Sequence, residues 1–193
     1  EYVSKRCKGK PMIWNDSAIA KWAAAGGIPP LDEALVNPTS LDLKMGDMIR
    51  EPDSIWQNMS EDEMWSHINN GTIDDLPRWG AAKSFSKHWL FPRRFVLCHS
   101  LEFVNMPDDT VAFLFSKSST GRIGLEHLHA GLGETEWNGQ WTWELHNVAP
   151  WPILLEAGKK VMQQVMLRVT DVPLKTYKET GRYNGQTGPT PAR

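Results

Sequence analysis

From residue 91 onward, apolar and polar residues alternate in short runs separated by turn-forming residues: RRFVLCHSLEFV, VAFLFS, GLEHLHA, GQWTWELHNV, WPILLE and KVMQQVMLRV. Successive strand side chains point to opposite faces, so a period of two predicts half-buried β-strands. In the run over 139–148, Gln140, Thr142, Glu144 and His146 share one face, while Trp141, Trp143 and Leu145 share the other. The apolar row is expected to be core or subunit interface rather than a ligand platform. Gly158 and Pro107-Asp108 are expected to mark hairpin turns. Many short strands with no long helix between them predict a mainly β fold, a barrel or jelly roll.

Two short helices are predicted earlier in the chain. Asp16 stands as the cap of SAIAKWAAA, which Gly26-Gly27 ends. Ser60 and Glu63 form a capping-box pattern for a helix over 61–69, with Asn70-Gly71 as its stop. Residues 50–90 carry no recognisable chemistry and read as a variable insertion whose Trp and His residues serve packing. The domain reading is therefore an N-terminal extension over 1–11, a β domain over 12–176 and a tail over 177–193. That tail is rich in Gly, Pro and Thr and is expected to be mobile until something orders it.

Composition narrows the function. A chain of 193 residues fits one domain with a substantial core. Hydrophobic residues at 40%, charged residues at 23% and a net charge of −2 lack the basic excess of a polynucleotide binder, so nucleic acid is not an expected partner. No apolar run approaches the ~20 residues needed to cross a bilayer, and EYVSKRCKGK is not followed by an apolar signal core. No membrane association is expected, and the expected location is cytoplasmic, or the host cytoplasm for a viral protein. Cys7 and Cys98 offer neither a disulfide framework nor paired metal ligands. His127 and His129, two apart on one strand face, read as structural rather than metal-binding. A load of ten tryptophans could serve a carbohydrate or aromatic-ligand binder, but packing is the stronger reading, since Trp141 and Trp143 fall on one strand face with Leu145.

The chemistry concentrates in residues 116–147, SKSSTGRIGLEHLHAGLGETEWNGQWTWELHN. A basic residue and two serines (Lys117, Ser118, Ser119) precede Arg122, then come Trp137 and Gly139, then Trp143 to Asn147. NPTSLDLKMG lies upstream at 37–46 and RYNGQTGPT downstream at 182–190. In this order the segments resemble the dCTP deaminase family over roughly residues 12–190. The resemblance implies a distorted β-barrel or jelly roll of the dUTPase-like type with short peripheral helices, assembled as a homotrimer with shared sites. It also implies hydrolytic deamination of dCTP to dUTP and ammonia.

Zinc deaminases carry His-x-Glu and Pro-Cys-x-x-Cys signatures, which this sequence lacks; the family it resembles works without zinc. Glu144 matches the catalytic glutamate, the proton shuttle beside the base. Taken without the resemblance, Glu144 would read as a solvated strand glutamate, whereas the related dUTPases carry an apolar residue at this position. Ser118, Arg122 and the backbone carbonyl of Ala130 match the groups that place water and base, and Arg122 beside Glu144 would hold the carboxylate ionised. Lys117 and Ser119 match phosphate contacts. Arg182 and Gln186 match the residues that close over the triphosphate, with Tyr183 between them and Tyr177 a looser candidate. Trp137 matches the aromatic wall against the sugar. Mg2+ is expected to arrive bound to the triphosphate, and Asp42 would reach it only through water, a structural hydrogen bond being its plainer role.

Two departures stand out. Lys117 replaces an arginine and supplies a point charge in place of a bidentate fork. GETEW at 133–137 replaces Ile-Asp-Pro-Gly-aromatic, so Glu134 sits where the family has the aspartate that contacts deoxyribose and serves dUTP hydrolysis. The extra methylene displaces the carboxylate, and dUTP is therefore the expected product. The competing readings are a bifunctional deaminase and dUTP diphosphatase, a dUTPase, and a non-catalytic nucleotide-binding regulator.

Overall fold

The computed structural model describes residues 12–127 and 130–192. Cys7, the extension over 1–11 and His129 lie outside the described residues. Helices α1 (Asp16–Trp22), α2 (Ile55–Asn58), α3 (Glu61–Asn69), α4 (Ser118–Arg122) and α5 (Tyr177–Thr180) are short and peripheral. The strands are β1 (Leu41–Lys44), β2 (Met48–Ile49), β3 (Lys83–Ser84), β4 (Lys87–Leu90), β5 (Phe95–His99), β6 (Val104–Asn105) and β7 (Thr110–Ser116). They continue with β8 (Leu125–His127), β9 (Leu132–Gly133), β10 (Asn138–Gly139), β11 (Thr142–Asn147), β12 (Ile153–Glu156) and β13 (Lys160–Arg168).

These strands form one four-stranded sheet, β1-β13-β7-β9, one three-stranded sheet, β5-β11-β8, and three strand pairs, β10-β6, β12-β4 and β2-β3. The arrangement is mainly β with short helices outside it, as the strand periodicity predicts. Among the described residues no sheet closes into a barrel.

Alternation determines which residues enter the core. On β11 the pattern is strict: Thr142, Glu144 and His146 are half-buried, while Trp143, Leu145 and Asn147 are buried. Trp143 joins Leu41, Leu43, Val96, Cys98, Leu125 and Met162 in one apolar cluster. The cluster spans both large sheets and leaves the Glu144 face of β11 free for chemistry.

Two expected hairpins are absent. Gly158 adopts φ +81 between β12 and β13, but β12 pairs with β4 whereas β13 pairs with β1 and β7. Pro107-Asp108 likewise lies between β6, which pairs with β10, and β7. Each turn instead passes the chain from one sheet to another. Local turn chemistry is blind to which strand becomes the neighbour.

The first helix is capped one residue earlier than expected: the Asn15 side chain accepts from the Ala18 N–H, while Asp16 begins the helix. α3 carries both halves of the Ser60–Glu63 capping box. The segment over 50–90 is not wholly peripheral, since its end supplies β3 and β4 to the sheets.

Candidate active site

Glu144 projects from the middle of β11 into a cavity of about 200 Å³. Ala130, Glu134, Trp137, Tyr177, Tyr183 and Gln186 line it with Glu144. Seven of the twelve residues expected from the sequence therefore converge on one concave space. Trp137 stacks flat on Trp141, with ring centroids 3.6 Å apart and planes at 6°. Trp141 is thus not wholly core as expected, because it also lines the cavity; its indole Nε1–H donates to Gln164 at 2.9 Å.

A neighbour of Glu144 that the sequence did not reveal is His127. Its Nε2 lies 3.0 Å from Glu144 Oε2, and its side chain is 3% exposed. The separation is that of an ion pair, but the direction is not that of a hydrogen bond, and both atoms are buried without a hydrogen-bond partner. Buried polar atoms left without a hydrogen bond are uncommon in folded proteins and call for an explanation, which a role in the site supplies. His127 occupies the position expected of Arg122, next to the carboxylate. Its strand pairing, His127 opposite Leu145, sets this placement, and a lone histidine in a strand pattern carries no signal of it.

The remaining expected residues lie elsewhere on the chain. Lys117 and Ser118 line a second cavity with Phe113, Phe115 and His127. Leu114 and Leu132 line both cavities and form the wall between them. Lys117 Nζ contacts Asp42 Oδ1 at 2.5 Å, and Asp42, 3% exposed, also accepts from Asn37 at 2.9 Å. The structural role expected of Asp42 is thus observed, and its partner is the phosphate-binding candidate itself. Ser118, Ser119 and Arg122 are exposed on α4, and of these Ser118 lines the second space.

The tail lies across the first cavity as a strap. Gln186 bridges Gly139 in parallel, with Gln140 N–H donating to the Gln186 carbonyl at 2.9 Å and Gln186 Nε2 to the Gln140 carbonyl at 2.9 Å. Thr190 N–H donates to Thr142 Oγ1 at 3.0 Å. Gly139 adopts φ +143, and a Cβ there would stand 2.8 Å from the Gln186 carbonyl oxygen. The glycine of the aromatic-x-Gly turn therefore admits the strap. Tyr177 packs its ring over Gly181 where the strap begins, and Arg182 is exposed there.

A family model described as dCTP deaminase-like matches residues 13–169. The chain belongs to the dCTP deaminase-like family. A relative from Mycobacterium avium (strain 104), named dCTP deaminase, dUMP-forming, is 36% identical over 189 residues, covering 94% of this chain and 95% of the relative. A relative of the same name from Rhodococcus opacus (strain B4) is 34% identical, covering 94% of this chain and 96% of the relative. The crystal structure of 2'-deoxycytidine 5'-triphosphate deaminase from Agrobacterium tumefaciens superposes with a TM-score of 0.60 at 20% identity, over 81% of this chain. The matched part spans 48% of that longer chain, and the likeness establishes a shared fold.

Against the family pattern, the GETEW departure has a backbone consequence. Glu136 occupies the position of the glycine in Ile-Asp-Pro-Gly-aromatic and adopts φ +58. That is the left-handed region, which costs a side-chain-bearing residue about 1–2 kcal/mol relative to right-handed backbone. A side-chain-bearing residue thus holds a backbone conformation better suited to glycine. Glu134, two residues earlier, is exposed and lines the Glu144 cavity.

Proposed function

We propose that this chain hydrolyses dCTP to dUTP and ammonia, without zinc, using Glu144 as the proton shuttle. Water attacks C4 of the cytosine while Glu144 takes one of its protons and gives it to ring N3; the second proton, from the hydroxyl now on C4, passes through Glu144 to the amine as the C4–N bond breaks, so one oxygen enters and one ammonia leaves. The observation that carries this reading is the placement of Glu144, its Oε2 buried beside His127, on a cavity walled by Trp137 and closed by the strap. The relatives' shared name supports dCTP as the substrate.

Independence from zinc is supported by position. Cys98 pairs with Trp143 on the core face of β11 and β5, opposite Glu144, and burial pushes its thiol far above the usual range. It is not presented to the cavity as a ligand. Magnesium enters with the substrate, held by the phosphates and water. The substrate is a soluble nucleotide, and the proposed location is the cytoplasm; among the described residues no helix is long and apolar enough to cross a membrane.

The site is completed between copies in a homotrimer. On one chain Lys117 and Ser118 line a cavity separate from that of Glu144. Beside them Phe113, Phe115, Ile123 and Leu132 are 39%, 50%, 46% and 53% exposed, an apolar surface suited to burial by a second copy. Lys117, Ser118, Ser119 and Arg122 of one subunit would then serve the base and phosphates held by Glu144, Glu134, Trp137, Tyr183 and Gln186 of the next. In that assembly Ser118, Arg122 and the Ala130 carbonyl place the water and base.

A second reading, in which dUTP is cleaved onward to dUMP, is favoured by the relatives' dUMP-forming name. Glu134 decides between them. The longer acid is expected to halt the reaction at dUTP, and Glu134→Asp is expected to raise the share of dUMP. Separation of nucleotides at early times checks both: predominant dUMP from the unmodified protein establishes the second reading. Ammonia release from dCTP that survives a strong zinc chelator supports the first, and activity tracking stoichiometric zinc overturns it.

A further inference from the structure

Arg50 belongs to none of the matched motifs, yet it joins three segments distant in sequence. Its backbone exchanges two 2.9 Å hydrogen bonds with Leu97, which fixes it against β5. From there Nε donates to the Pro189 carbonyl at 2.9 Å and Nη1 donates to the Gly80 carbonyl at 2.7 Å. A planar guanidinium holds two acceptors in fixed directions, which an ammonium cannot do.

Both acceptors are themselves held. Gly80 N–H donates to the Glu51 carbonyl at 3.0 Å, and the adjoining Trp79 packs edge-on against Phe95 with centroids 4.9 Å apart. Phe95 lies on β5 opposite His146 of β11, the strand that carries Glu144. Pro189 is buried, and its neighbour Thr190 lines the Glu144 cavity with Gln186 and Tyr183. A continuous set of contacts therefore runs from the catalytic strand through Phe95, Trp79, Gly80 and Arg50 to the strap.

We propose that Arg50 is a positioning residue that latches the strap, with the segment around Trp79 and Gly80 as its anchor. The latch holds Pro189 so that Tyr183 and Gln186 meet the bound nucleotide in register. It gives a role to the 50–90 segment, whose sequence suggests only packing. The inference rests on the nucleotide reading above for its kinetic consequence, though the latch itself is observable without substrate.

The test uses the full chain carrying Arg50→Met, Arg50→Lys or Trp79→Ala. Trypsin cleavage after Lys178 and Arg182, followed by mass spectrometry without nucleotide, reports strap release. Arg50→Met and Trp79→Ala are expected to speed this cleavage by about 10-fold or more. They are also expected to raise KM for dCTP by about 10-fold, with kcat within about 3-fold of the unmodified protein. Arg50→Lys, able to hold one carbonyl, is expected to fall between. Unchanged strap cleavage in Arg50→Met overturns the latch. Faster cleavage with unchanged KM overturns its positioning role, as does a Tm loss in which kcat falls as far as KM rises. If the unmodified protein fails to deaminate dCTP, the nucleotide reading fails, while the cleavage rates still decide whether Arg50 holds the strap.

Discussion

Glu136 shows how a single side chain can strain a turn on which a site depends. Its φ of +58 places a side chain where the family pattern has glycine, between Glu134 and Trp137, both of which line the cavity. Glu136→Gly relieves the left-handed strain but enlarges the conformational freedom of the unfolded chain, so the net gain is smaller than the strain itself. A stabilisation of about 0.5–1 kcal/mol is expected, measured by urea unfolding; a loss of stability would mean that Glu136 makes contacts outweighing its backbone cost. The residue types around the site were legible because Glu144, Trp137 and the strap residues stand in a fixed order in the sequence. His127 was not, since its 3.0 Å approach to Glu144 follows from strand register between β8 and β11, a long-range property.

At the scale of elements, β11 serves two purposes through its alternation. One face inserts Trp143 and Leu145 into the core, and the other presents Thr142 to the strap and Glu144 to the cavity. This division is readable from period two alone. The sheet partners are not, which is why Gly158 and Pro107 pass the chain between sheets without forming hairpins. The end of β5 adds a pH-dependent element. His99, 3% exposed, has its Nδ1 2.8 Å from the Ser100 carbonyl and its Nε2 3.2 Å from the Met48 N–H. With the proton on Nδ1, that nitrogen donates to Ser100 and Nε2 accepts from Met48, which selects the neutral ring. Burial pulls its proton affinity below the usual imidazole range, the Ser100 carbonyl and Asp47 only partly offsetting this. Because the folded-state pKa lies below the unfolded value, the unfolded chain binds the proton first as pH falls. The His99 contribution to stability is therefore complete above about pH 6.5 and is lost as pH falls through the depressed folded-state pKa. Thermal unfolding of the unmodified protein and His99→Gln between neutral pH and pH 5 checks this. A wild-type Tm that falls no faster than that of the variant would contradict it.

Across the molecule, the division of the expected site residues between two cavities on one chain supports the proposal that each active site draws on two subunits. The wall of Leu114 and Leu132 separates Lys117 and Ser118 from Glu144, and exposed Phe113 and Phe115 flank the separation. Sequence order places both half-sites in one list of motifs, whereas geometry separates them, because linear proximity says nothing about which side of a sheet a loop reaches. Sharing between subunits predicts complementation. Glu144→Gln and Arg122→Ala are each expected to be nearly inactive alone. Co-assembled at equal amounts, they are expected to regain roughly a quarter of normal activity, since random neighbours restore one complete site in four. Failure of mixed assemblies to regain activity, with mixing verified by mass spectrometry, would contradict shared sites.

In the proposed reaction Glu144 moves the protons of cytosine deamination. Replacing it with glutamine keeps the shape of the side chain while removing its basicity, so binding and chemistry separate cleanly. Turnover of dCTP by Glu144→Gln, measured as ammonia released, is the most direct test, with nucleotide affinity measured alongside by calorimetry. A loss of at least ~100-fold in kcat is expected, with dCTP still bound at near-normal affinity. Near-normal turnover in this variant would contradict it and move the catalytic base elsewhere in the cavity.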